Sequence, residues 1–232
     1  MVLYQKQVVK YMTKIRQEII QGDCLDILPT IQGDFVIVTD PPFNIGYHYN
    51  DYKDNLGADE YYQMLNDVFG VNPFVVIHYP EEIYKIAFQV GQFPEKVVSW
   101  VYNSNTAKQH RDIAFFGIKP DFRKLQQPFK NPKDKRIMKR IAEGKMARGY
   151  DWWNINQVKN VSKDKSSHPC QMPLEVMENI IKLIPEGKLI VDPFAGSGTT
   201  LLACKKLGRS FVGIEISPEY VEIIKQRLDK IM

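Results

Sequence analysis

The thirty residues KLIVDPFAGSGTTLLACKKLGRSFVGIEIS, running from Lys188 to Ser217, constrain the fold more than any other part of the chain. They read as a strand (Lys188 to Val191), an acid (Asp192), a turn around Gly196 and Gly198, a helix (Thr199 to Leu207) closed by Gly208, and a second strand (Phe211 to Ile216). A strand, tight turn, helix and strand in so short a span is the unit from which parallel α/β sheets are built. The two glycines let the main chain bend sharply and approach a ligand with no Cβ in the way. Glu215 follows Gly196 by about 20 residues, the spacing at which such a unit places a ribose-binding carboxylate. A ribose-bearing cofactor is therefore expected. A phosphate-binding P-loop needs Gly-Lys-Ser/Thr, and here Gly198 is followed by Thr199 and Thr200. A dinucleotide fingerprint prefers a third small residue where Leu201 stands, which weakens NAD or FAD.

The rest of the chain repeats the same grammar. Strand patterns near 16–22, 35–39, 73–78 and 96–102 alternate with helical patterns near 58–69, 81–90, 173–184 and 217–230, predicting one α/β domain with a largely parallel sheet. Residues 103–165 interrupt the alternation with prolines, clustered aromatics and charge, and read as a small inserted region within a single domain over 1–232. Of the 31 Lys and Arg and 27 Asp and Glu in the chain, fourteen and five fall within 119–165, a net of +9 against −5 for the remainder. Segregated basic charge is the electrostatic footprint of a nucleic-acid binder, the bland alternative being a solvated face. Along a helix expected over 133–148, Lys135 and Lys139, and likewise Arg136 and Arg140, recur one turn apart, as backbone-tracking contacts would. Tyr150, Trp152 and Trp153 read as packing for the insertion rather than as wedges between bases. No apolar run reaches membrane length and the first residues lack a signal-peptide core, so a cytoplasmic protein with no membrane role is expected. Cys24, Cys170 and Cys204 are isolated, and His168 with Cys170 has no partners at ligand spacing, so neither a metal nor a disulfide is expected.

A second elbow stands in VIVTDPPFNIGY, residues 36 to 47. The apolar run 35–39 suits a strand buried on both faces, which leaves Asp40 at its carboxyl end, where open α/β sheets bind ligands. Pro41 and Pro42 stiffen the turn and remove two donors, leaving the Asp40 carboxylate and nearby carbonyls as acceptors beside the ring of Phe43. That set suits a planar ligand carrying an NH2 group. A strand-terminating turn with Phe43 in the core is the other reading of these four residues.

Together, the DPPF of Asp40 to Phe43, the DPFAGSGTT of Asp192 to Thr200 and the SSHPCQMPLEVM of Ser166 to Met177 resemble the motifs of amino-group DNA methyltransferases that use S-adenosylmethionine, in the permuted order of the β group. The resemblance covers nearly the whole chain outside 103–165, with Phe43 in place of the commoner Tyr. It implies a Rossmann-like methyltransferase fold: α/β, a largely parallel twisted sheet with helices on both faces, circularly permuted, the insertion serving target recognition. It implies catalysis by Asp40, Pro41, Pro42 and Phe43 on a base flipped from double-stranded DNA. It also implies a cofactor site drawn from Asp23, Cys24, Asp40, His168, Asp192, Phe194, Gly196, Ser197, Gly198, Thr199, Thr200, Glu215 and Ile216. Permutation places EIIQGDCLDIL next to FVGIEI, so that Asp23 lies beside Glu215 and accepts from the cofactor's adenine, while helix capping is the alternative role. Asp40 as the first motif residue points to adenine N6, since cytosine-N4 members more often carry Ser there. Methylation of cytosine N4 or of an amine in RNA or protein, a cofactor-binding module that grips nucleic acid without catalysis, and a nucleotide-dependent oxidoreductase remain as rivals. A homodimer and a cognate restriction endonuclease are further candidate partners.

Overall fold

The computed structural model describes residues 15–47, 52, 54–159, 166 and 170–231. Five strands form the parallel part of one sheet, in the spatial order β1 (Gln17–Gln21), β10 (Phe211–Glu215), β9 (Leu189–Asp192), β2 (Phe35–Thr39) and β3 (Phe74–His78). β2, β3, β9 and β10 are buried along their whole length, which is why they read as unbroken apolar runs. Beyond β3 the sheet continues through β5 (His110–Phe116), antiparallel to both neighbours, then β4 (Lys96–Val101) and β8 (Trp152–Asn154).

Alternating side chains feed two cores. Val36 and Val38 pack on the face covered by α5 (Leu174–Leu183), α6 (Thr199–Lys206) and α7 (Pro218–Asp229), with Met177, Ile181, Leu201 and Ile224. Ile37 points to the other face, with α1 (Cys24–Ile27), α2 (Ala58–Phe69) and α3 (Pro80–Gln89), where Tyr61, Leu65 and Ile86 are buried. The sheet is thus largely parallel and covered by helices on both sides, as expected. β1, the first strand described, pairs with β10, with Gln21 opposite Glu215, so chain order and spatial order are permuted.

Two expectations need correction. The interval 103–165, read as an insertion with no strand of its own among the expected ones, supplies two strands to the sheet, β5 between β3 and β4 and β8 at the edge. β5 begins with the polar His110, Arg111 and Asp112 and buries only Ile113 to Phe116, so half of it carries no strand pattern. The helix expected over 133–148 is only α4 (Lys135–Ala142). Asp134 caps its start by accepting from the Arg136 and Ile137 amides, and Gly144, at φ 71°, ends it before β7 (Ala147–Arg148) pairs with β6 (Gln126–Gln127).

Candidate active site

Both elbows open at the carboxyl ends of the parallel strands, into one cleft lined by Asp40, Phe43, Arg111, Gly196, Glu215 and their neighbours. The glycine turn is held from several sides. Gly196 donates its amide to Glu215 Oε2 at 2.7 Å, and Ser217 donates to Oε1 at 2.9 Å. Gly198 adopts φ 75°, and a Cβ there would press on the Ile224 side chain at 2.9 Å, so it is glycine for both dihedral and space. Its neighbours Ser197 and Thr199 share a hydroxyl hydrogen bond at 3.1 Å, and Arg227 of α7 donates to the Ser197 carbonyl. Leu201, where a dinucleotide fold would put a third small residue, is accommodated by Gly213 on β10, since an added Cβ at 213 would run into its methyl groups.

Asp192 joins the two elbows. Its Oδ1 accepts from Thr39 at 2.8 Å and from the Phe194 amide at 3.2 Å, while Oδ2 accepts from Thr200 at 2.5 Å. Burial raises its pKa to about 6 against the lowering effect of those donors. The acid at the end of β9 therefore ties the last residue of β2 to the start of α6.

On the other flank, Gly22 donates to the Glu215 carbonyl at 3.0 Å, which brings the turn after β1 against the end of β10. Asp23 lines the cleft and caps α1 by accepting from Leu25 N at 2.9 Å, so the capping role is realised. Cys24 lines the same wall with its thiol pushed up to about 12, first by burial and then by the charge of Asp23, which leaves it protonated. Phe194 and Ile216 add apolar surface. His168 lies outside the described residues.

The DPPF elbow is clamped from behind by residues that sequence reading does not single out. Tyr61 donates its hydroxyl to the Pro42 carbonyl at 2.7 Å and meets His78 Nε2 at 3.1 Å. The Tyr79 amide donates to His78 Nδ1 at 2.8 Å, so Nδ1 is the acceptor and Nε2 carries the proton toward Tyr61. Burial lowers the His78 pKa to about 3, and the ring stays neutral. His78 in turn stacks on Phe43 at 4.1 Å with 17° between planes. Beyond the elbow, Asp54 accepts from the amides of Asn44, Ile45 and Tyr47 at 2.7, 3.1 and 2.9 Å and fixes the next turn.

Asp40 sits at the centre. Burial raises its pKa to about 6, Arg111 pulls it down and Asp192 pushes it up, so it is ionised at neutral pH. Arg111 Nη1 stands 3.5 Å from Oδ2, while the buried Oδ1 has no hydrogen-bond partner among the described residues. With the Pro42 carbonyl occupied by Tyr61, the proline carbonyl left at the elbow is that of Pro41, which no donor reaches among the described residues. The elbow therefore holds two acceptors that no described donor occupies.

The four basic residues of α4 are exposed and stand apart from these groups on a helix with no buried residue. Tyr150 and Trp152 stack on each other at 5.5 Å and are exposed, whereas Trp153 is buried against the core and donates to the Tyr150 carbonyl. Among the described residues, no helix is long and apolar enough to cross a membrane.

Comparison with known proteins gives the architecture a family. A family model described as DNA methylase matches residues 35–226. The type II methyltransferase M.HpaI of Haemophilus parainfluenzae is 29% identical over 92% of this chain and 74% of its own length. The DNA adenine methyltransferase YhdJ of Escherichia coli K12 is 26% identical over 91% of this chain and 82% of its own. Among solved structures, the cytosine-N4-specific PvuII DNA methyltransferase superposes with a TM-score of 0.68 at 19% identity, covering 93% of this chain and 87% of that one. The M1.HpyAVI–SAM complex gives 0.58 at 24%, covering 91% and 99%. With its Rossmann-like methyltransferase fold, its permuted elbows and a family match spanning most of its length, the chain belongs to the S-adenosylmethionine-dependent amino DNA methyltransferases of the β group.

Proposed function

We propose that the protein methylates N6 of an adenine flipped out of double-stranded DNA, and the observation that carries this reading is the pair of acceptors at the elbow, Asp40 Oδ1 and the Pro41 carbonyl. S-adenosylmethionine supplies the methyl group when bound. The residues fit that cofactor: the glycine turn has no room for a side chain at Gly198, and the Glu215 carboxylate lines the cleft beside it. The Glu215 carboxylate, held in place by the Gly196 and Ser217 amides, is the group that would accept the ribose hydroxyls. Asp23, Cys24, Phe194 and Ile216 would form the adenine end. The His168 segment would line the amino-acid end.

An exocyclic amine is a poor nucleophile because its lone pair is delocalised into the ring. Asp40 and the Pro41 carbonyl accept its two N–H bonds and favour the pyramidal form whose lone pair points at the methyl group. They are acceptors already in place as positive charge develops on the nitrogen, and once the methyl–sulfur bond has broken the surplus proton passes to the ionised Asp40 carboxylate. No protein nucleophile is required, in keeping with the protonated Cys24 and the more deeply buried Cys204. Flipping the base costs a few kcal/mol, which phosphate contacts from the 103–165 region, α4 among them, would offset.

Two facts support adenine over cytosine: an aspartate rather than a serine opens the motif, and a relative matched over 91% of this chain is named an adenine methyltransferase. The test is mass spectrometry of nucleosides from DNA treated with the pure protein. 6-Methyladenine is expected, and Asp40→Ala should abolish it with cofactor affinity nearly intact. 4-Methylcytosine without 6-methyladenine would overturn the base assignment.

A further inference from the structure

Phe43 has no free face. His78 covers one at a centroid distance of 4.1 Å, and the Arg111 guanidinium carbon lies 4.5 Å from the same centroid. Two planar groups that close to one ring centre cannot share a side, so they sandwich it. A base stacking on Phe43 must displace one of them, since a stacked ring occupies the space directly over the face.

The two are held very differently. His78 is fully buried and hydrogen-bonded at both ring nitrogens. Arg111 reaches in from β5 on a flexible side chain, Nη1 stands 3.7 Å from Met172 sulfur, and its buried Nε has no hydrogen-bond partner among the described residues. Its remaining contacts are the faces of Trp100 at 5.5 Å and Tyr79 at 5.8 Å and a side-chain hydrogen bond with Tyr102. The same guanidinium carries the 3.5 Å ion pair with Asp40. One flat group with N–H donors on its edge thus covers the ring face and engages the carboxylate that the amino edge of a flipped base needs.

We propose that Arg111 is a positioning residue that stands in for the target base, holding Phe43 and Asp40 in their working arrangement in the DNA-free protein and leaving when the base enters. This rests on the reading of the elbow as the amine-methylating site. Before the base arrives, Asp40 is kept ionised and correctly turned in a buried slot. Base entry then exchanges one flat donor for another, with the acceptors already in place.

The groups facing Asp40 are Arg111 from β5 and Asp192 from β9, so removing Arg111 leaves a carboxylate beside a second acid. In Arg111→Met the acid limb of kcat/KM, which reports the free enzyme, is expected to move to higher pH, while the acid limb of kcat stays where it is, because Arg111 has already left the bound complex. Well above both limbs, KM for duplex DNA carrying the mapped site should fall about threefold to tenfold, because the base no longer competes with a cation for the Phe43 face. Arg111→Lys keeps the charge but loses the flat guanidinium that covers the ring, so its kcat/KM limb should stay near that of the unaltered protein while KM falls by less than in Arg111→Met. Calorimetry with S-adenosylmethionine serves as the folding control for each variant, and Arg111→Lys carries the KM test if Arg111→Met fails it. A rise in KM would make Arg111 a contact to bound DNA, and a kcat limb that moves with kcat/KM would keep it on Asp40 throughout. Either result overturns the stand-in role. If the unaltered protein transfers no methyl group to DNA, the underlying reading of the site fails instead.

Discussion

Replacing Glu215 by alanine should damage both the empty protein and its cofactor binding, and the two losses are separable. In the folded chain the carboxylate accepts the Gly196 amide at 2.7 Å and the Ser217 amide at 2.9 Å while lying almost wholly buried. Glu215→Ala orphans one buried and one half-buried N–H group, at up to about 1–3 kcal/mol each. Allowing for water taking up part of that loss, a destabilisation of about 2–4 kcal/mol follows, or a drop in Tm of about 4–16 °C for a chain of this size. Two ribose hydroxyls donating to the same carboxylate would add about 1.5–3 kcal/mol each to binding, so cofactor affinity should fall at least roughly tenfold. Glu215→Gln retains one good acceptor and turns an NH2 toward the other amide, which predicts losses of intermediate size. Scanning calorimetry without and with saturating S-adenosylmethionine reads both effects, and the stabilisation given by the cofactor should shrink in the variant. A variant that melts with the parent and binds as tightly refutes the argument entirely. One that melts early but binds normally leaves Glu215 as a brace for the glycine turn and removes it from the ribose.

Neutralising Lys135, Arg136, Lys139 and Arg140 together should weaken DNA binding and flatten its dependence on salt by about 0.9 in log–log slope for each phosphate no longer neutralised, with cofactor affinity unchanged. A slope that does not move makes α4 a solvated face. Tyr61→Phe should leave the Pro42 carbonyl and the His78 Nε2 proton without their partner and loosen the elbow, lowering kcat roughly 10–100-fold with little change in cofactor affinity. A kcat within about a factor of two of the parent would show that the prolines hold the turn unaided.

The elements legible in the sequence are those whose signal is local. The run from Phe35 to Thr39 is buried on both faces and can be read residue by residue, as can the glycine turn and the helix after it. β5 escapes such reading because its first three residues are polar. Those residues carry Arg111, whose place is fixed by Asp40, Phe43 and Met172 from distant parts of the chain. Tyr61 and His78 look like ordinary core residues for the same reason: their partners at the elbow come from other elements. Asp192 reads as part of the cofactor loop, yet its hydrogen bonds to Thr39, Phe194 and Thr200 show a brace that only the adjacency of β2 and β9 creates. Leu201 weakens the dinucleotide reading without any hint that Gly213 makes room for it.

The pairing of Gln17–Gln21 with Phe211–Glu215 has a temporal meaning for a chain made from its amino end. The catalytic elbow leaves the ribosome well before the strand that carries Glu215, and the turn at Gly22 cannot meet the Glu215 carbonyl until that strand follows. A nascent chain therefore holds an incomplete cleft until that strand has emerged, since the lining is drawn from both parts of the chain. Such sequence-distant pairing closes slowly, which makes completion of the sheet the step that switches the site on.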